Sequence, residues 1–171
     1  RQGQDELFDA VFAHSEPRTV LTGMRGSGKT QLAAAVAARC EEEGWPLVAW
    51  IHAASRKEIL AGLYEFALRI GIDAPKNIPL EVIVQRLLDQ LRSAEAADRL
   101  FVFDNVENPD DLRDLIPEGA GVRVLITTPR HFDWDGLGWL RLAVGAFDRE
   151  QSVSLLCERT GDTHREAADR I

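Results

Sequence analysis

Eight consecutive residues constrain this chain more than any others: Gly23-Met24-Arg25-Gly26-Ser27-Gly28-Lys29-Thr30. They fit the spacing G-x-x-x-x-G-K-[ST] at every position. The run before them, Thr19-Val20-Leu21-Thr22, is short and β-branched and predicts a buried strand. After them, Leu32, Ala33, Val36, Ala37 and Cys40 fall on one face of a helix that begins near Lys29. A strand entering and a helix leaving is the setting a phosphate cradle needs. Glycines let the loop fold back so that consecutive backbone N–H groups converge on one anion. The helix start adds its partial positive charge to the same spot. In such a loop Lys29 neutralises β- and γ-phosphate oxygens and the Thr30 hydroxyl ligates Mg²⁺.

The remaining pattern repeats strand and helix in alternation. Glu41 to Glu43 form the wet end of the first helix and Gly44 its stop. Leu47-Val48-Ala49-Trp50-Ile51 predicts a second buried strand, followed by a helix capped by Ser55 with Ile59, Leu60, Leu63, Phe66 and Ile70 on its face. Asp73 to Pro79 is a loop, and Leu80, Ile83, Val84, Leu87, Leu88 and Leu91 mark another helix. Leu100-Phe101-Val102-Phe103 predicts a third strand, Pro109 to Leu115 a short helix, and Val122 to Thr127 a fourth strand. A fifth lies within Trp139 to Val144. Such alternation implies crossover connections and a parallel sheet covered on both faces. Outside this frame, Leu7, Phe8, Val11 and Phe12 form a helical stripe ended by Glu16-Pro17. Asp148 with Gln151 resembles a capping box opening a helix with Val153, Leu155 and Leu156. The expected division is a nucleotide-binding domain over 1–146 and the beginning of a following helical subdomain over 147–171.

Composition narrows the function classes. A length of 171 residues suits one domain. With 20 basic and 28 acidic side chains the net charge is −8, which argues against direct nucleic-acid contact by this segment. Two cysteines, Cys40 and Cys157, and four scattered histidines give neither a disulfide framework nor zinc-ligand spacing. No apolar run is long enough to span a bilayer, so a cytoplasmic protein without membrane partners is expected.

Asp104 ends the third strand abruptly. At the carboxyl end of a parallel strand a carboxylate can hold Mg²⁺ opposite Thr30. Many NTPases of this layout carry a second acid at the next position; here it is Asn105. An amide can orient water but cannot take its proton at neutral pH. Glu107 is near enough in sequence to substitute, although a turn glutamate is commonly just solvated. Slow hydrolysis is expected, with Lys29 and Asp104 as the residues that carry it.

With both motifs placed, the chain resembles the NB-ARC nucleotide-binding domain of STAND-class ATPases, in particular bacterial members joined to tetratricopeptide repeats. The resemblance is carried by Leu21 to Ala33, by Leu100-Phe101-Val102-Phe103-Asp104-Asn105-Val106-Glu107, by Val122 to Thr128, and by Phe147-Asp148-Arg149-Glu150 leading to Leu155-Leu156. It implies a three-layer P-loop NTPase fold with a five-stranded parallel sheet in the order 2-3-1-4-5. It also implies ADP or ATP with Mg²⁺, held by Gly23 through Thr30 and Gln31, with Thr30 and Asp104 toward the metal. Two threonines ending the fourth strand precede a γ-phosphate-sensing arginine in that family. Here Thr127-Thr128 are followed by Pro129 and then Arg130, displaced by one position. Arg25 sits at a variable loop position and reads as a surface charge. Arg1 with Glu6-Leu7 faintly matches the family's N-terminal motif, whose neighbourhood contacts adenine. The family's Gly-Leu-Pro-Leu motif and winged-helix histidine are absent from this sequence.

These features imply a regulatory ATPase module whose nucleotide state controls assembly, self-association or an attached effector or repeat domain. Asn105 supports an alternative, a nucleotide-held interaction scaffold that hardly hydrolyses. A third reading is the ATPase core of a transcription regulator. His52 reads as a turn residue, and Trp134 and Trp139 as a loop packed on the domain.

Overall fold

The computed structural model describes residues 17–145. The N-terminal stripe, Arg1 with Glu6-Leu7, Cys157 and the capping-box helix expected after Asp148 lie outside the described residues, as does the segment 147–171. Among the described residues five strands alternate with three helices: β1 (Arg18–Thr22), α1 (Lys29–Glu42), β2 (Leu47–His52), α2 (Arg56–Arg69), α3 (Leu80–Ser93), β3 (Arg99–Asp104), β4 (Val122–Thr128) and β5 (Leu140–Ala143). A single 3-10 turn, Pro109–Leu112, follows β3.

Strand pairing is parallel throughout, and the order is β2-β3-β4-β1-β5. The expected class holds, but the order 2-3-1-4-5 does not: β4 lies between β3 and β1. Apolarity alone cannot rank β1, β3 and β4, because all three are buried on both faces. β4, with all seven residues buried, takes the centre. The strand over Leu47–Ile51 is likewise not fully buried. It is an edge strand whose Ala49 and Ile51 are covered and whose His52 is exposed.

Alternation along the inner strands feeds two separate cores. Leu21, Leu100, Val102 and Leu125 pack with Ala33, Val36, Ala37 and Cys40 of α1. Val20, Phe101, Phe103, Val124 and Ile126 pack with α2 and α3 through Ile59, Leu63, Phe66, Ile83, Leu87 and Leu88. The three layers are therefore α1, the sheet, and the α2–α3 pair. Trp134 and Trp139 join the second core, their rings edge-on at 5.7 Å, as a packed loop.

The helix boundaries have local causes. α1 stops where Gly44 adopts a φ of 78°, its N–H reaching the Glu41 carbonyl while that of Trp45 reaches Cys40. α2 opens on Ser55, whose hydroxyl accepts from the Glu58 N–H. Ile70, expected on the α2 stripe, is instead its C-cap and exposed, because Gly71 turns the chain at a φ of 90°. The helix expected to reach Leu115 ends at Leu112, since Arg113 is extended and Asp114 takes a φ of 62°. No helix among the described residues is long and apolar enough to cross a membrane.

Candidate functional site

Residues 23–30 connect the carboxyl end of β1 to the first turn of α1. Gly23, Gly26 and Gly28 have φ values of 151°, 80° and 86°, a region side-chain-bearing residues rarely enter. A Cβ on Gly23 would stand 2.4 Å from the Val144 carbonyl oxygen. Gly28 is the N-cap of α1, and no side chain caps the helix. The amides of its first turn, which have no intrahelical acceptor, are thus left for an outside one.

Lys29 turns back into the loop. Its ammonium donates to the carbonyls of Gly23 at 2.9 Å and Met24 at 2.7 Å and to Ser27 Oγ at 3.3 Å. Burial pulls its pKa below the ordinary 10.5; the Asp104 carboxylate opposes that shift and Arg25 adds to it. An anion entering the loop would meet a desolvated cation and exchange places with carbonyl acceptors.

Asp104 is the centre of the second half. Its Oδ1 accepts from Thr30 Oγ1 at 2.9 Å and from Thr127 Oγ1 at 2.6 Å. Thr127 Oγ1 in turn accepts from the Asn105 N–H at 2.8 Å. The Val106 N–H donates to the Thr127 carbonyl at 2.8 Å, and Thr128 Oγ1 donates to the Val106 carbonyl at 2.6 Å. The chain leaving β3 is therefore fastened to the end of β4, with Asn105 at a φ of 66° making the bend. Thr30 and Asp104 offer hard oxygens within a hydrogen bond of each other, the donor type Mg²⁺ takes. Among the described residues no group of three or more His, Cys, Asp or Glu side chains can hold a metal. A cation here fits only with phosphate oxygens and water completing its shell, which is how Mg²⁺ is usually held beside nucleotides.

The arginines singled out by sequence meet on one carboxylate. Glu107 Oε1 accepts from Arg25 at 2.9 Å and its Oε2 from Arg130 Nε at 2.9 Å. The Arg130 N–H is also held, by Thr128 Oγ1 at 3.1 Å. Met24, Gly26 and Gln31 lie on the exposed rim of the same loop and helix start. The structure thus brings Arg25, Lys29, Thr30, Asp104 and Arg130 together at a mouth formed by the ends of β1, β3 and β4. Sequence reasoning did not find the Thr127 hydroxyl bond to Asp104, nor that Glu107 joins Arg25 to Arg130. Only the correct strand order could have signalled the first. An open groove of about 680 Å³ between α2 and α3, lined by Arg56, Leu60, Tyr64 and Leu80 among others, shares no residue with the mouth.

No family model matches the chain. It is 26% identical to a disease resistance protein of Arabidopsis thaliana over 88% of this chain, and it spans 14% of that protein's length. Its structure resembles CDC6P from Pyrobaculum aerophilum with a TM-score of 0.69 at 18% identity, covering 94% of this chain and 48% of that one. It also resembles a signal transduction ATPase with numerous domains (STAND) bearing a tetratricopeptide repeat sensor, from Pyrococcus horikoshii. There the TM-score is 0.51 at 17% identity, covering 97% of this chain and 26% of that one. The chain shares with these structures a three-layer α/β fold that matches a P-loop NTPase architecture. The β2-β3-β4-β1-β5 order places the loop after β1 beside the end of β4.

Proposed function

We propose that this chain is the nucleotide-binding part of a regulatory NTPase, holding ADP or ATP with Mg²⁺ and hydrolysing the triphosphate slowly. One observation carries the reading. The loop that buries the Lys29 ammonium is joined through Thr30 to Asp104 at 2.9 Å, so an anion cradle and an oxygen pair stand side by side. Gly23 through Gln31 would wrap the phosphates, Lys29 would neutralise them, and Thr30 with Asp104 would face the metal. Bound Mg²⁺ supplies charge neutralisation across the β- and γ-oxygens. Arg130 is the candidate to reach a γ-phosphate. The finer reading is an NB-ARC-like module of STAND type, cytoplasmic and of the bacterial kind coupled to tetratricopeptide repeats, with 147–171 beginning the next helical subdomain. The likeness to the STAND protein with its repeat sensor supports that direction. In this reading the nucleotide state governs self-association or an attached effector.

The test is nucleotide affinity by titration calorimetry for the wild type and Lys29→Ala. Loss of a buried cation facing phosphate is expected to weaken binding by roughly 10²-fold or more. Equal affinities would reject the reading.

A non-hydrolysing scaffold is the second reading, favoured by Asn105. Glu107, the other candidate base, holds Arg25 and Arg130 with its two carboxylate oxygens. Single-turnover hydrolysis separates the two: a burst that Asp104→Ala removes supports the enzyme, and ATP intact after hours supports the scaffold.

A further inference from the structure

We infer that Glu107 is a specificity-determining residue that biases the site toward the diphosphate by occupying the two guanidinium groups a terminal phosphate would otherwise receive. The inference rests on the nucleotide-binding reading above and concerns which nucleotide that site prefers.

Glu107 stands three residues beyond Asp104, on the segment fastened to β4 by the Thr127 and Thr128 hydrogen bonds. Its backbone is thereby set beside the loop over 23–30, and each of its carboxylate oxygens accepts a guanidinium bond. One oxygen takes Arg25, which belongs to the loop itself, and the other takes Arg130, from the segment after β4. Three charges from three segments meet there.

The partners differ in how firmly they are held. Glu107 is largely covered, with a side-chain exposure of 23%, whereas Arg25 and Arg130 are 76% and 60% exposed. Exposed ion pairs are weak and can exchange partners. A diphosphate is served by the loop amides and Lys29 and leaves both pairs intact. A triphosphate adds a phosphoryl group with three strong acceptor oxygens, and guanidinium groups prefer such bidentate acceptors. A terminal phosphate that draws Arg130 or Arg25 onto itself competes with Glu107 for the guanidinium, and a released carboxylate then sits beside an added negative charge. Both effects penalise the triphosphate and leave the diphosphate unaffected. Arg130 answers the terminal phosphate only when Glu107 lets it go.

The test compares the affinities of ADP and of the non-hydrolysable β,γ-imido analogue of ATP, each with Mg²⁺, in wild type, Glu107→Gln, Arg130→Ala and the double variant. Glu107→Gln keeps the size of the side chain and removes its charge. It is expected to tighten the triphosphate analogue by roughly 3- to 10-fold, the scale of two exposed pairs, and to change ADP by less than about twofold. In the Arg130→Ala background the share of that gain owed to Arg130 should vanish. The inference is overturned if Glu107→Gln shifts both nucleotides equally, if it weakens the analogue, or if the gain is undiminished without Arg130. In each of those cases ADP binding that still requires Lys29 leaves the nucleotide-binding reading standing. If the wild type binds neither nucleotide, or Lys29→Ala leaves ADP affinity unchanged, both fall together.

Discussion

Thr127 Oγ1 donates to Asp104 Oδ1 at 2.6 Å, and this contact exists because β4 separates β3 from β1. With β1 directly beside β3, as in the order 2-3-1-4-5, the P-loop would border Asp104 without an intermediary. Instead the end of β4, in register with β1 through Leu21 and Thr127, reaches the same carboxylate that Thr30 of the loop contacts directly. One hydroxyl bridges the acid of β3 and, through the Asn105 N–H, the bend that follows it. The carboxylate is thus oriented by two threonines from two different segments.

Replacing Thr127 with Val keeps the shape and removes both hydrogen bonds. A buried hydrogen bond to a charged acceptor is worth about 1.5–3 kcal/mol, so Thr127→Val should destabilise the fold by that amount in urea denaturation. Thr127→Ser, which keeps the hydroxyl, should lose less than about 1 kcal/mol. Indistinguishable midpoints for wild type and the Val variant would show that the contact holds nothing in place.

Lys29 predicts a pH dependence. Its pKa is lowered in the folded chain, chiefly by burial, so above that value and below the ordinary 10.5 the unfolded chain binds more protons than the folded one. Stability of the nucleotide-free protein should therefore rise with pH through this window. Nucleotide affinity should do the opposite. Phosphate favours charged Lys29, so binding takes up a proton there and weakens as pH climbs, by at most about tenfold per unit. Affinity measured from neutral pH toward pH 10.5 checks the sign, and a flat profile would exclude Lys29 as the phosphate partner.

Much of this was legible in the sequence, for identifiable reasons. Helix faces such as Ile83, Val84, Leu87, Leu88 and Leu91 declare themselves by spacing, and the structure buries all five. The loop over 23–30 and Asp104 stood out because a phosphate site would require fixed residue types next to strand ends, and the structure joins the two through Thr30. Strand order was not, because Val20, Phe101 and Leu125 are equally apolar and any inner place would bury them. The edge position of β2 is faintly visible in retrospect through Trp50 and His52, which an inner strand would have had to cover. The clasp on Glu107 was invisible for another reason. Arg25 and Arg130 are 105 positions apart, and only folding brings them to one carboxylate.

Gly23 tests whether the loop shape is obligatory. Ala there would have to hold a φ of 151° with its Cβ 2.4 Å from the Val144 carbonyl oxygen. The neighbour is backbone, tied to β1 by the Val144 N–H bond to the Thr22 carbonyl, so it cannot simply rotate away. Gly23→Ala should cost about 1–3 kcal/mol of stability. It should also weaken nucleotide binding more than Gly44→Ala, which meets nothing within 4 Å and lies at the far end of α1. Calorimetry of the two variants side by side gives the comparison.

Asn105 decides between turnover and storage. It adopts a φ of 66°, a conformation Asp tolerates almost as well as Asn, so Asn105→Asp should fold normally. The substitution places a carboxylate one residue beyond Asp104, where it can accept a proton that an amide cannot. Single-turnover hydrolysis is expected to rise by about 10²-fold, the lower end of what a positioned base contributes. Asn105→Ala supplies the control: it should lose about 1 kcal/mol of stability to the left-handed backbone and gain no rate. A faster Asp variant identifies the native amide as the brake on hydrolysis. An unchanged rate, with nucleotide still bound through Lys29, means that no water is poised at position 105 and leaves the scaffold reading in place.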